Sequence, residues 1–253
     1  MEAQKHAVQR IFGERSSFYT QSVVHKDPEV LARVIKLAAP KLDWSALDVA
    51  TGTGHTALAL APLVANVTCI DITPQMLEEA ENLARKLGIS NMRLCRGDIH
   101  SLPFADGVFD LVTCRRAAHH FSDITRALRE IGRVLKIGGR LVIDDRSVPE
   151  DDFVDSCMNM LDNLHDESHV REYRPSEWQH LLESSGCTVD VIQPYTKHLP
   201  LTSLTANVSL ENTQRIRSIV DGLKCDQRKA MNVVEKDGEV HLNHWFIMLS
   251  AHH

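Results

Sequence analysis

In Leu47-Asp48-Val49-Ala50-Thr51-Gly52-Thr53-Gly54 a carboxylate stands four residues ahead of a glycine pair. The apolar residues Ala46, Leu47, Val49 and Ala50 predict a buried parallel strand. The glycines predict a tight turn that lets a ligand approach the N-terminus of the next helix. Gly52, Gly54 and Ala57 also fit the G-x-G-x-x-G/A dinucleotide pattern, so the glycines alone leave the ligand open. Asp48 narrows the choice, because its charge repels a pyrophosphate and attracts the ammonium and sulfonium of S-adenosylmethionine (SAM). SAM is therefore the expected cofactor and NAD the alternative.

Two further acids follow in order. In Val67-Thr68-Cys69-Ile70-Asp71-Ile72 a β-branched run ends in Asp71. That acid stands about 20 residues beyond the glycines, the offset at which an Asp or Glu accepts hydrogen bonds from ribose hydroxyls in adenosine-binding α/β folds. Arg96-Gly97-Asp98-Ile99 puts a third acid where another predicted strand gives way to a loop, a place suited to an adenine amino group. Taken singly each is an ordinary strand-end residue; three at successive strand ends point to one ligand.

Methyl transfer from a sulfonium needs an aligned nucleophile and, for a phenol, thiol or carbon acid, a base. The cluster suited to that is Arg115-Arg116-Ala117-Ala118-His119-His120-Phe121-Ser122-Asp123, directly after the fourth predicted strand. Ligands in such sheets bind beyond the carboxyl ends of the strands. His119 and His120 are the candidate catalytic residues, since a reference pKa of about 6.5 suits a base. The alternative is that the pair only packs against the cofactor while proximity drives the reaction. Arg115 is a candidate for the SAM carboxylate or an anionic substrate; Arg116 reads as solvated. His165-Asp166-Glu167-Ser168-His169 has its Glu displaced from the H-E-x-x-H position, so it reads as a polar turn and no metal site is expected. Asp144-Asp145 reads as a solvated strand end.

The elements that must hold these residues alternate, strand then helix, through the first two-thirds of the chain, the pattern of a parallel sheet covered on both faces. Strands are predicted near 45–50, 66–71, 92–97, 109–114 and 140–144. One helix opens with Asp27 as cap and Pro28 at its first position, carries Leu31, Val34, Ile35 and Ala38 on one face, and stops at Pro40. A second opens at Thr73-Pro74 and stops at Gly88. A third runs from Asp123 with Ile124, Leu128, Ile131 and Leu135 inward and ends at Gly138-Gly139. Beyond Arg146, the acids Glu150-Asp151-Asp152 mark a helix start. Phe153, Val154, Cys157, Met160, Leu161 and Leu164 then follow at helical spacing as a packing stripe. A helix near 176–185 presents Trp178, Leu181 and Leu182, and 188–192 and 241–250 read as strands.

At 253 residues and 43% hydrophobic, the chain can bury the core of one α/β domain with a lid. A net charge of −6 and no long Lys/Arg run argue against a nucleic-acid partner and for a small-molecule substrate. Six cysteines without a C-x-x-C fit reduced thiols. No apolar run reaches the ~18 residues of a membrane span, and no signal peptide is evident, so a cytoplasmic protein without membrane contact is expected. Oligomeric state is left open.

The quoted motifs carry a resemblance: the chain resembles class I SAM-dependent methyltransferases, and within them the small-molecule group related to the ubiquinone/menaquinone-biosynthesis methyltransferases. It rests on LDVATGTGHTALALA from Leu47, VTCIDITPQML from Val67, CRGDIHSLPF from Cys95, FDLVTCRRAAHHFSD from Phe109 and RVLKIGGRLVI from Arg133, covering roughly residues 10–146. It implies a Rossmann-like, seven-stranded, mostly parallel sheet with helices on both faces, an antiparallel last strand and a lid. The implied organisation is a single methyltransferase domain, 1–253, with an N-terminal cover (1–43), a SAM-binding core (44–146) and lid segments with the final strands (147–253).

By the same resemblance Asp48 sits near the methionine amino group, Thr51, Gly52 and Gly54 line methionine and ribose, and Asp71 holds the ribose hydroxyls. Ile72, Asp98 and Ile99 hold the adenine, and Tyr19 reaches the cofactor from the cover. Arg115 is added to the cofactor-binding candidates for its charge toward the SAM carboxylate, not on the resemblance. The insertion 201–234 would line the substrate cavity. His119-His120-Phe121-Ser122-Asp123 is similar to the His-Asp-Trp-Ser-Asp stretch of plant small-molecule O-methyltransferases, which makes His119 the expected base, although His120 stands where that stretch has an acid. Against this expected methyltransferase stand two other readings, a SAM-binding regulatory protein without turnover and an NAD-dependent oxidoreductase.

Overall fold

The structure, a computed structural model, describes residues 2–22 and 25–253. Of the predicted cover, Met1, Val23 and Val24 lie outside the described residues. The first two helices are α1 (Glu2–Glu14) and α2 (Ser16–Gln21). The parallel half contains β1 (Ser45–Val49), β2 (Asn66–Asp71), β3 (Met92–Arg96), β4 (Phe109–Arg115) and β5 (Leu135–Ser147). Later come β6 (Thr188–Pro200), a short β7 (Val234–Lys236) and β8 (Glu239–His252). The order is β3-β2-β1-β4-β5-β8-β6, with β8 antiparallel to both neighbours and β7 pairing β8 off this path. The expected seven-stranded sheet with an antiparallel last strand is present; the β7–β8 hairpin adds to it.

Strand alternation divides the core into two layers. Leu47 and Val49 of β1 face a cluster with Val112, Leu128, Ile131 and Trp178; Ala46 faces the other, with Val34, Leu60, Leu111 and Met248. The helices covering these faces are α3 (Pro28–Ala38), α4 (His55–Leu60), α5 (Pro74–Lys86) and α6 (Ile124–Val134). α3 starts where Asp27 accepts the N–H groups of Glu29 and Val30, with Pro28 in the first turn. It ends at Ala39 in a left-handed conformation. Because β1 lies between β2 and β4, the connections leave it to opposite sides and open a crevice beyond the carboxyl ends of β1 and β4.

Two expectations change on this face of the sheet. Leu135 does not extend α6; it pairs with Phe109 as the first residue of β5, and Gly138 (φ 75°) lets the strand loop before it continues. Leu135 is buried in either arrangement, so apolar spacing does not distinguish them. Asp144 and Asp145 are not a solvated strand end. β5 runs on to Ser147, paired with β8 as far as Trp245, and both carboxylates are at most 1% exposed.

The remaining helices are α7 (Asp152–His165), α8 (Pro175–Glu183), α9 (Thr202–Thr205), α10 (Leu210–Asp221) and α11 (Cys225–Ala230). Asp151 caps α7 by accepting the Val154 N–H at 2.9 Å. The stripe of α7 is Val154, Cys157, Met158 and Leu161, with Met160 turned half-exposed instead of Met158. These side chains meet Leu204, Ile216, Val220 and Leu242 in a third apolar cluster. Beneath it Arg146 is buried against Asp162, Glu172 and His244. No described helix is long and apolar enough to cross a membrane.

Candidate active site

A cleft of about 1100 Å³, its open mouth included, lies beyond the carboxyl ends of β1 to β4, with residues of α1 and α2 on its other wall. Asp48 is in its floor. The register sets Asp48 opposite Thr113 of β4, so the Thr113 hydroxyl donates to Oδ1 at 2.6 Å while Thr51 donates to Oδ2 at 2.5 Å. Burial raises the Asp48 pKa against these two bonds and the nearby Arg115 charge. Asp71 accepts the Thr73 N–H through Oδ1 and the Gly52 N–H through Oδ2, each at 2.8 Å. Its pKa is raised by burial against these bonds. A carboxylate offers about four lone-pair sites, so Asp71 retains acceptor capacity toward the cleft.

Asp98 is more fully engaged than its sequence position indicates. Its Oδ1 accepts the His100 N–H at 2.9 Å and faces His100 Nδ1 at 2.7 Å, and its Oδ2 meets the Lys5 ammonium at 2.6 Å. Burial alone would raise its pKa, but Lys5 and His100 outweigh that and hold it at about 2. Ile72 and Ile99 line the cleft, as do Thr51 and Gly52; Gly54 does not. Gly54 (φ 85°) caps α4, where an added Cβ would stand 3.0 Å from that of Ala80. Its glycine serves the helix start and packing on α5. Ala50 turns out of β1 at φ 48°, a strained conformation for a residue with a side chain and one that clusters at functional sites.

Arg115 enters the cleft from the end of β4. Its Nε donates to Thr56 Oγ1 at 2.9 Å and its Nη2 to the His25 carbonyl at 2.7 Å, whereas Nη1 is buried without a partner. His55 Nε2, Thr73 Oγ1 and Ser122 Oγ are also buried, unpartnered and on residues that line the cleft. Buried polar groups are normally hydrogen-bonded, so orphans gathered around one cleft mark a ligand site. Arg116 corrects the solvated reading. Its backbone is left-handed (φ 55°), its guanidinium lies 3.9 Å over the Phe246 ring, and it bonds Asp144 at 3.0 Å and the Tyr195 oxygen at 2.9 Å. Tyr195 in turn donates to Asp144 at 2.6 Å.

His119, the expected base, does not line this cleft. Its Nδ1 meets Asp145 Oδ1 at 2.5 Å and its N–H donates to Asp145 Oδ2 at 3.1 Å. The ring lies beside that of His120, centroids 4.0 Å apart. His120 does line the cleft, edge-on to Phe12 at 5.0 Å, with Nδ1 facing the Ser168 carbonyl at 3.0 Å and hydroxyl at 3.1 Å. Burial and then the neighbouring His119 lower its pKa to about 3. Tyr19 packs perpendicular to His25 at 4.9 Å and burial pushes its phenol up to about 12. Sequence reading missed Thr113, His55 and Ser168. Aligning Asp48 with the fourth strand would have pointed to Thr113, but nothing local marks Ser168. Among the described residues no group of His, Cys, Asp and Glu could hold a metal ion.

A Rossmann-like sheet with a cleft at its switch point is a common ligand-binding architecture, and comparison with known proteins gives the family. A family model described as "Methyltransferase domain" matches residues 47–143. The Bacillus subtilis methyltransferase YcgJ is 40% identical over 190 residues, 75% of this chain and 74% of that protein. Its crystal structure superposes with a TM-score of 0.83 at 33% identity, covering 88% of this chain and 97% of that one. The Escherichia coli protein YafE is 32% identical over 79% of this chain and 96% of its own length. A demethylmenaquinone methyltransferase of Thermus thermophilus matches at 42% over 44% of this chain and 51% of its own length. The chain belongs to the class I SAM-dependent methyltransferases. It is a methyltransferase by family, which favours that reading over the NAD-dependent one.

Proposed function

We propose that this methyltransferase holds SAM along the cleft and methylates a small organic molecule beneath the N-terminal cover. The observation that carries the reading is the distribution of the orphaned polar atoms. Arg115 Nη1, at the end of β4, and His55 Nε2, at the start of α4, are on the Asp48 side and suit an amino acid carboxylate. Thr73 Oγ1 and Ser122 Oγ lie toward Asp71 and His100, and suit a nucleoside. Asp48 would face the ammonium, Asp71 the ribose hydroxyls, and Ile72 and Ile99 the adenine. Asp98 would share its carboxylate between Lys5 and the base. Tyr19 would close over the sulfur.

SAM, when bound, supplies a methyl group activated on a sulfonium. The protein's part is orientation and proton handling. With Nδ1 directed at Ser168, His120 offers Nε2 to the acceptor's X–H and turns its lone pair toward the methyl group. The His119–Asp145 pair supports that ring from behind. Cover, core and lid divide as 1–43, 44–146 and 147–253, but the helices of 201–234 pack on α7 and contribute no residue to the cleft lining. The net charge of −6 disfavours a nucleic-acid acceptor, and six free cysteines suit the reducing cytoplasm. The test is incubation of the protein with SAM and a metabolite extract. S-adenosylhomocysteine formed together with one methylated small molecule is expected; product formed only with added nucleic acid or protein would overturn the reading.

A further inference from the structure

Ser168 is fully buried in the loop between α7 and α8. Its N–H and its hydroxyl both donate to Asp166 Oδ1, at 2.8 and 2.7 Å. A carboxylate is the stronger acceptor, so the hydroxyl proton goes to Asp166 and not to the imidazole. Both Ser168 oxygens then face His120 Nδ1 as acceptors, which requires Nδ1 to carry the proton. No protein group bonds Nε2 of His120 among the described residues. The same Ser168 carbonyl also accepts from the Gln4 side-chain amide of α1, and the adjacent Glu167 pairs with Arg10 of that helix. One short loop thus grips both the cleft histidine and the cover.

We propose that Ser168, braced by Asp166, is a positioning residue: it fixes His120 as the Nδ1–H tautomer, leaving Nε2 a bare acceptor in the cleft, and through the same carbonyl it seats the N-terminal cover. The catalytic meaning of this tautomer rests on the role proposed above for His120; the tautomer itself does not. It is read directly in long-range 1H–15N spectra of the full chain labelled at histidine, with His120 assigned by its loss in His120→Asn. S-adenosylhomocysteine is the probe ligand.

The wild type is expected to show Nδ1–H at His120. Asp166→Ala, which frees the Ser168 hydroxyl to donate to Nδ1, is expected to move part of the population to Nε2–H. Asp166→Asn, whose amide oxygen still accepts both Ser168 donors, should restore the wild-type pattern. Gln4→Ala should speed amide exchange in α1, about 10-fold, and leave the tautomer alone. Nε2–H in the wild type overturns the proposal even if Asp166→Ala fails to fold, as does an unchanged tautomer in folded Asp166→Ala. A His120→Asn enzyme with full turnover, or a wild type that does not bind S-adenosylhomocysteine, would instead remove the reading on which the catalytic meaning rests, and the tautomer result would stand.

Discussion

Asp71 is the residue whose role follows most directly from its bonds. Two backbone N–H groups fix its carboxylate in the cleft wall, so its free lone pairs are already aimed before a ligand arrives. Asp71→Ala is expected to weaken SAM binding by about 1.5–3 kcal/mol, the range for hydrogen bonds to a charged group, as measured by calorimetry on the folded variant. His120 carries the second residue-scale expectation. With its pKa lowered to about 3 it stays neutral from pH 5 to 8, so kcat/KM should show no inflection between pH 6 and 7. An inflection there that disappears in His120→Asn would mean that the imidazole titrates in the working range and the orienting role is wrong.

The elements add the cover. α1 reaches the cleft through Gln4, Lys5, Val8 and Phe12, and Gln9 bonds the Ile72 carbonyl at 3.0 Å, so cleft and cover share a wall. Amide exchange across 10–22 should slow at saturating SAM; unchanged exchange would detach the cover from binding. Much of this arrangement is legible in the chain. Asp27-Pro28, Thr73-Pro74 and the β-branched run ending at Asp71 mark elements by local chemistry, and the structure has them. Apolar spacing fails where two structures bury the same residue, as at Leu135. Met160 is a different miss: it stands two residues from Met158 on the opposite side of α7 and is exposed where Met158 is buried. The partners of His119 and His120, namely Asp145 and Ser168, come from β5 and from a loop 48 residues beyond His120. Such pairings are set by tertiary packing and leave no short-range pattern.

At the scale of the whole molecule, four histidines are disfavoured as cations: His169 and His244 are buried, His25 and His120 half-buried. Burial lowers His25, His120 and His244 to about 3 and His169 to about 4. The unfolded chain takes up these protons near pH 6.5 and the folded protein does not, so the stability is complete above pH 6.5 and is lost as pH falls toward 4. Each group contributes at most about 1.4 kcal/mol per pH unit in that window. Urea denaturation should therefore show stability falling steeply from pH 6.5 to 5, with the slope reduced by about one proton in His244→Gln. A stability that stays flat to pH 4.5 would mean that these rings admit protons without unfolding.

That SAM lies in this cleft with its amino acid end on Arg115 is tested most directly by a binding cycle. SAM and its decarboxylated analogue are titrated calorimetrically into the wild type and into Arg115→Ala. The buried, unpartnered Nη1 leads to the expectation that the wild type prefers SAM, and that the variant loses about 1.5–3 kcal/mol of binding to SAM but little to the analogue. Equal losses for both ligands in a folded variant would contradict the carboxylate contact and, with it, the direction in which SAM is placed along the cleft.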